Sequence, residues 1–293
     1  MGAEEDIHQL VASTGELISF PQAALRVNSL INSEDASMEA VAEAISQDPA
    51  LAAKLLKMAN SSFYGFRGEI ATVKKAIQVL GLAPVRTLVL GSASTAMAEQ
   101  LPNDLVSLEN FWPQAIQCSI AARYLASQQR GMDREALFMA GLLHNVGLLV
   151  LFNQRPEQSL KAQEAFLYGP EGRRREQAEE SVFGFHQAHV GAALMQSWDF
   201  PAVLHEPVAY QLEPEQAPSQ KKAAATLHIA GVAAMLAEIE SDDFDDAPAI
   251  DPTAYTLTGL DEATVSEAIR QAHEGFSMVR EMLGLQFATD EAS

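Results

Sequence analysis

A chain of 293 residues, 48% of them apolar, is long enough to bury one large core or two modest ones. Its 39 Asp and Glu against 19 Lys and Arg leave a formal charge of −20, which repels phosphate backbones, so nucleic acid and an anionic membrane surface are excluded as expected partners. The single Cys118 rules out an internal disulfide and suits a buried thiol in a reducing cytoplasm, the expected location.

In chain order, residues 1–8 are acidic and lack the basic and apolar layout of a secretion signal. Apolar residues recur at spacings of three and four while strand-like alternation is nearly absent, which predicts an all-α fold. Pro21 stands at the start of a helix carrying Leu25, Val27, Leu30 and Ile31. Ser37 caps a helix from Met38 to Ser46, and Asp48-Pro49 starts another that ends at Asn60. A loop with Tyr64, Phe66 and Arg67 follows and is a candidate interaction surface. Thr72 starts a short helix that Gly81 closes, and Pro84 opens the next, which runs to Ala98.

The turn cluster Leu101-Pro102-Asn103-Asp104 is the expected boundary between an N-terminal subdomain, residues 1–104, and a second one, residues 105–293. The second block holds the most unusual stretch, an apolar run from Glu135 to Phe152 with His144-Asn145 at its middle, read as one buried helix. Two polar side chains among leucines need partners, because an unsatisfied buried polar group costs roughly 1–3 kcal/mol. Helices from His186 to Trp198, Pro201 to Gln211 and Lys221 to Glu238 come next. An acidic loop over residues 240–251 then leads to a last helix capped by Asp261.

Four stretches together resemble, in order and spacing, the bacterial HDOD domain. They are the segment from Ser46 through Asp48-Pro49 to Gly65, Ala76-Ile77-Gln78-Val79-Leu80-Gly81, Ala140-Gly141-Leu142-Leu143-His144-Asn145-Val146-Gly147, and the segment from Val190-Gly191 to Pro201. The resemblance implies two packed helical sub-bundles, the second like the HD phosphohydrolases, and a regulatory or output role in bacterial signalling.

An HD hydrolase holds divalent metal with several His and Asp side chains, so that a bound water becomes nucleophilic. Laid against that pattern, His144 keeps the central histidine while the aspartate after it is Asn145. The remaining positions fall on Gln114, Gln187, Gln211 and Gly231. One histidine cannot hold a catalytic metal, which takes about three protein ligands. The expectation is therefore a non-catalytic regulatory protein without metal or cofactor, acting through a protein partner or a small ligand. The alternatives are a metal-dependent phosphohydrolase with an atypical ligand set, using His186 and His189, and a nucleotide sensor whose pocket replaces the metal cavity.

Other signals read as structure. Arg173-Arg174-Arg175 is offset by Glu176, Glu179 and Glu180 at helical spacing. The acidic run from Asp242 to Asp246 lacks the glycine and glutamate of a calcium-binding loop.

Overall fold

A computed structural model describes residues 2–15, 21–33, 37–66, 69–98, 108–169, 174–241 and 243–285. Among these residues all regular structure is helical. In chain order the helices are α1 (Ala3–Gly15), α2 (Gln22–Asn32), α3 (Met38–Ser46), α4 (Pro49–Ala59), α5 (Val73–Leu80), α6 (Leu82–Ala98), α7 (Leu108–Ser127) and α8 (Arg134–Leu143). They continue with α9 (Val146–Gln154), α10 (Pro156–Leu167), α11 (Arg175–Phe183), α12 (Gln187–Ser197), α13 (Ala202–Ala209), α14 (Lys221–Glu238), α15 (Pro252–Thr258) and α16 (Glu262–Leu283).

Helix starts follow local chemistry. The carboxylate of Asp48 accepts from the main-chain N–H groups of Ala50 and Leu51 at 3.0 Å, and Pro49 occupies the first helical position, where no N–H is needed. Ser37 accepts from Ala40, Thr72 from Lys75, and Asp133 from Glu135 and Ala136 in the same manner. Gly81 ends α5 at φ +84°, a conformation that a side chain would strain. One element was not expected: α15 begins on Asp251-Pro252, the same start signal as Asp48-Pro49, directly after the acidic loop.

The chain forms two compact units, Met1–Ile18 with Leu101–Glu274, and Ser19–Gln100 with Gly275–Ser293. This differs from a single cut at residue 104, a position that lies outside the described residues. α1 belongs to the first unit because it packs on α9 and α12, and Ser13 donates to Gln154 at 3.3 Å. The end of α16 belongs to the second unit, where Lys54 donates to the carbonyl of Leu283 at 3.0 Å and Lys57 pairs with Glu281 at 2.6 Å. Both placements arise from contacts between residues far apart in sequence, which local patterning does not encode.

In the first unit α7 packs against α8 and α14. Buried alanines of α14, among them Ala223, Ala230, Ala233 and Ala237, keep its surface low, so neighbouring backbones come close. Glu135 is buried on α8 and pairs with Arg123 of α7 at 3.0 Å. The stretch Arg134–Gln154 is long and apolar enough to cross a membrane by length and composition, yet 83% of it is buried within the protein.

In the second unit α2 packs on α3 and α6, and α5 on α3 and α4. Asn60 holds the loop after α4, since its amide donates to the carbonyl of Ile70 and accepts from the Ile70 N–H, both at 2.9 Å.

Candidate functional site

The expected single helix from Glu135 to Phe152 is broken at His144-Asn145, with α8 ending at Leu143 and α9 starting at Val146. Two glycines flank the break. A Cβ on Gly141 would lie 2.7 Å from the Ser119 Cα, and one on Gly147 only 2.0 Å from the Gln187 carbonyl oxygen. The chain therefore passes backbone-to-backbone against α7 on one side of the break and α12 on the other, as only glycine permits.

Breaking the helix frees a carbonyl. The last carbonyls of a helix have no partner within it, and that of His144 is satisfied by side chains instead. Gln211 donates to it at 2.7 Å and Gln187 at 3.4 Å. Gln187 also donates to the Asn145 side-chain oxygen at 3.1 Å, and Asn145 donates to Gln114 Oε1 at 2.9 Å. Five of the six positions singled out by sequence thus form one continuous hydrogen-bond chain. The sixth, Gly231 on α14, is not part of it, and a Cβ there would meet no atom within 4 Å.

The polarity of this chain is fixed at one end. A carbonyl only accepts, so Gln187 must present its NH2 to His144. Asn145 must then face Gln187 with its oxygen and Gln114 with its NH2. That uses Gln114 Oε1 and leaves Gln114 Nε2 as a donor with no partner among the described residues.

His144 is 3% exposed, and its Nδ1 lies 2.7 Å from the Gly141 carbonyl, so Nδ1 carries the hydrogen and Nε2 the lone pair. Burial lowers its pKa to about 4, against the opposing hydrogen bond to Gly141, which keeps the ring neutral. Such a tautomer suits metal ligation. Its neighbours do not, because they are neutral amides, the Gln187 side-chain oxygen standing buried without a hydrogen-bond partner among the described residues. Among the described residues no group of three His, Cys, Asp or Glu side chains is placed to hold an ion. The donor set does not fit the divalent metal of an HD hydrolase.

His186 and His189 do not supply an alternative. Their rings stack with centroids 3.9 Å apart at 22°, which aims their nitrogens along near-parallel planes rather than at one point. Neither nitrogen of His186, 1% exposed, has a hydrogen-bond partner among the described residues, and burial followed by the His189 charge lowers its pKa to about 3.

Next to the amide chain lies a pocket of about 250 Å³ lined in part by Gln114 and Asn145, two of the positions read from sequence as a degenerate metal site or possible pocket. Phe111, Phe152, Phe166 and Phe183 supply aromatic wall, and Gln114, Asn145, Ser159 and Glu179 bring polar groups to it. The Ser159 hydroxyl is buried without a hydrogen-bond partner among the described residues. Glu179 accepts from the Gln187 N–H through Oε2 at 2.8 Å, and its Oε1 has no hydrogen-bond partner among the described residues. Burial raises the Glu179 pKa to about 7 in spite of that hydrogen bond and nearby Arg175. Arg175 stands with its guanidinium 5.4 Å from the Phe166 ring centre, within cation–π range. His228, isolated in sequence, joins the network from behind: its Nδ1 donates to the Gln211 carbonyl at 2.9 Å while its Nε2 accepts from the Asp251 N–H at 3.0 Å.

In the other candidate region, Tyr64 is half-buried with its ring edge-on to Phe63 at 5.2 Å, and Phe66 is 44% exposed. Arg67 lies outside the described residues.

The profile of the HDOD domain matches residues 17–214, about two thirds of the chain. The chain belongs to the HDOD family. Three solved structures share the fold of this HDOD protein. A candidate phosphohydrolase from Shewanella amazonensis SB2B is 28% identical with a TM-score of 0.73, covering 94% of this chain and 97% of its own. A candidate signal-transduction protein from Marinobacter aquaeolei VT8 is 25% identical with a TM-score of 0.71, over 96% of this chain and 65% of that one. An HDOD domain protein of unknown function from Geobacter sulfurreducens is 21% identical with a TM-score of 0.66, over 96% and 97%. An uncharacterized protein of Treponema pallidum is 25% identical over 231 residues, and the matched region spans 42% of its length.

Proposed function

We propose that this HDOD protein is a non-catalytic regulatory module of bacterial signal transduction that acts by binding, with a protein as its output partner. The observation that carries this reading is the chain Gln114–Asn145–Gln187–His144–Gln211, in which amides stand at the positions where a hydrolase places metal-binding His and Asp. A neutral amide is a weak ligand beside carboxylate or imidazole, and the amide nitrogens of Gln187 and Gln211 are held on the His144 carbonyl. The Marinobacter relative, described as a candidate signal-transduction protein, supports the signalling role. The Shewanella relative, described as a candidate phosphohydrolase, defines the competing one.

Turnover separates the two. Protein purified without chelators is assayed against a panel of phosphomonoesters, phosphodiesters and nucleoside triphosphates with manganese, magnesium or zinc added. The expected result is no hydrolysis above buffer. Hydrolysis that disappears in His144→Ala overturns the proposal.

A further inference from the structure

We infer that the pocket beside the amide chain binds a flat, uncharged heteroaromatic ring that presents a hydrogen-bond donor and an acceptor on its edge, the chemistry of a purine or pyrimidine base. The inference deepens the binding role proposed above and rests on it.

Three features of the pocket define this ligand. The first is shape and surface. A volume of about 250 Å³ walled by the four phenylalanines with Leu148, Leu151 and Ala162 suits a ring system buried on its faces, and aromatic faces attract one another. The second is a complementary pair of unused polar atoms. Gln114 Nε2 is left as a donor because the His144 carbonyl dictates the direction of every amide between them. Glu179 Oε1 is left as an acceptor because Oε2 is occupied by the Gln187 N–H. A ring edge with an acceptor for Gln114 and an N–H for Glu179 satisfies both, the pairing that Gln and Glu make with base edges elsewhere. The buried Ser159 hydroxyl, also unpartnered among the described residues, adds a third polar contact on the same wall.

The third feature is charge, which argues against a phosphorylated ligand. Among the described residues Arg174 is paired with Glu176 at 2.9 Å and Arg175 is the cation lining the pocket, where it is set against Glu179 in a chain of net charge −20. One guanidinium beside a carboxylate does not compensate a phosphate. Recognition therefore lies in the ring. The same ring reaches the pocket as a free base, a nucleoside or a nucleotide, and the sources are distinguished by measurement.

The test is calorimetric titration of the full chain with adenosine, guanosine, cytidine and uridine, each beside its 5′-monophosphate, at about pH 8 so that Glu179 is ionised. The expected result is one-to-one binding of at least one nucleoside, with the monophosphate no tighter. N-methylation of the ring N–H or exocyclic amine of the bound base, Glu179→Gln, or Gln114→Glu each weakens binding about tenfold or more. Thermal melts confirm that both variants fold, since each preserves size and the Asn145 or Gln187 contact. Absence of binding by all four nucleosides, binding that both variants leave unchanged, or a monophosphate that binds about tenfold tighter overturns the inference. Phosphate release is followed in the same samples. Turnover there overturns the non-catalytic reading, whereas silence in both measurements overturns only the ligand.

Discussion

Gln211 places its side-chain NH2 2.7 Å from the main-chain oxygen of His144, 67 residues earlier in the chain. The contact satisfies a carbonyl that the break between α8 and α9 leaves without a helical partner, and the same NH2 reaches the Val208 carbonyl at 3.1 Å. Gln211, which the family resemblance sets against a metal-binding position, here closes the end of a helix. Gln211→Leu should fold but lose roughly 1 kcal/mol in urea denaturation, the cost of leaving the buried His144 carbonyl with only the longer 3.4 Å donation from Gln187. A loss below a few tenths of that value would show that water replaces the amide freely.

Gly147 makes the closest backbone approach described here. With a Cβ 2.0 Å from the Gln187 carbonyl and 2.7 Å from the Gly191 nitrogen, Gly147→Ala must push α9 and α12 apart. The expected outcome is a loss of about 3 kcal/mol or more, or insoluble protein, because backbone cannot move aside as a flexible side chain does. Gly231→Ala is the control. A Cβ there meets nothing, so its unfolding midpoint should stay near that of the parent chain.

Stability should fall with acid. Burial holds the pKa of His144 at about 4 and that of His186 at about 3, against an ordinary 6.5. Above 6.5 both states leave these rings neutral, and as the pH falls the unfolded chain takes up protons that the folded one refuses. Glu179 works in the opposite sense. Its folded pKa of about 7 means that its contribution is full below 4.5 and is lost as the pH rises toward 7, so it offsets part of the acid loss. Among the described residues His186 has no hydrogen bond to lose, so His186→Phe should flatten the decline below 6.5, by on the order of 2 kcal/mol at about pH 5. The slope of the melting temperature against pH is the measurement. An unchanged slope would mean that His186 already has a partner or water.

Sequence and structure agree where the determining contact is local. Ser37, Asp48, Thr72 and Asp133 cap helices two or three residues away, so each start is written in a few neighbouring side chains. Asp251-Pro252 carries the same signal, and α15 escaped notice because the acidic run before it reads as a long loop. The break at His144-Asn145 was not legible, since it depends on what Gly141 and Gly147 touch rather than on what they are. The positions Gln114, Gln187, Gln211 and Gly231 came from resemblance to a family pattern. That Gln114, Gln187 and Gln211 share one hydrogen-bond network, with Gly231 outside it, became visible only in the folded chain. Of the pocket only Gln114 and Asn145 were legible, through the family pattern; Ser159 and Glu179 come from separate helices with no shared spacing.

The central claim is that amides have taken over the metal-binding positions, and a direct titration of metal tests it. Manganese and zinc are added to chelator-treated protein and to Asn145→Asp, with bound ion counted by mass spectrometry after gel filtration. No stoichiometric ion is expected in either, because one restored carboxylate would still have the neutral amides of Gln114 and Gln187 as its neighbours. One or more tightly held ions per chain in the unaltered protein, lost on His144→Ala, would contradict it.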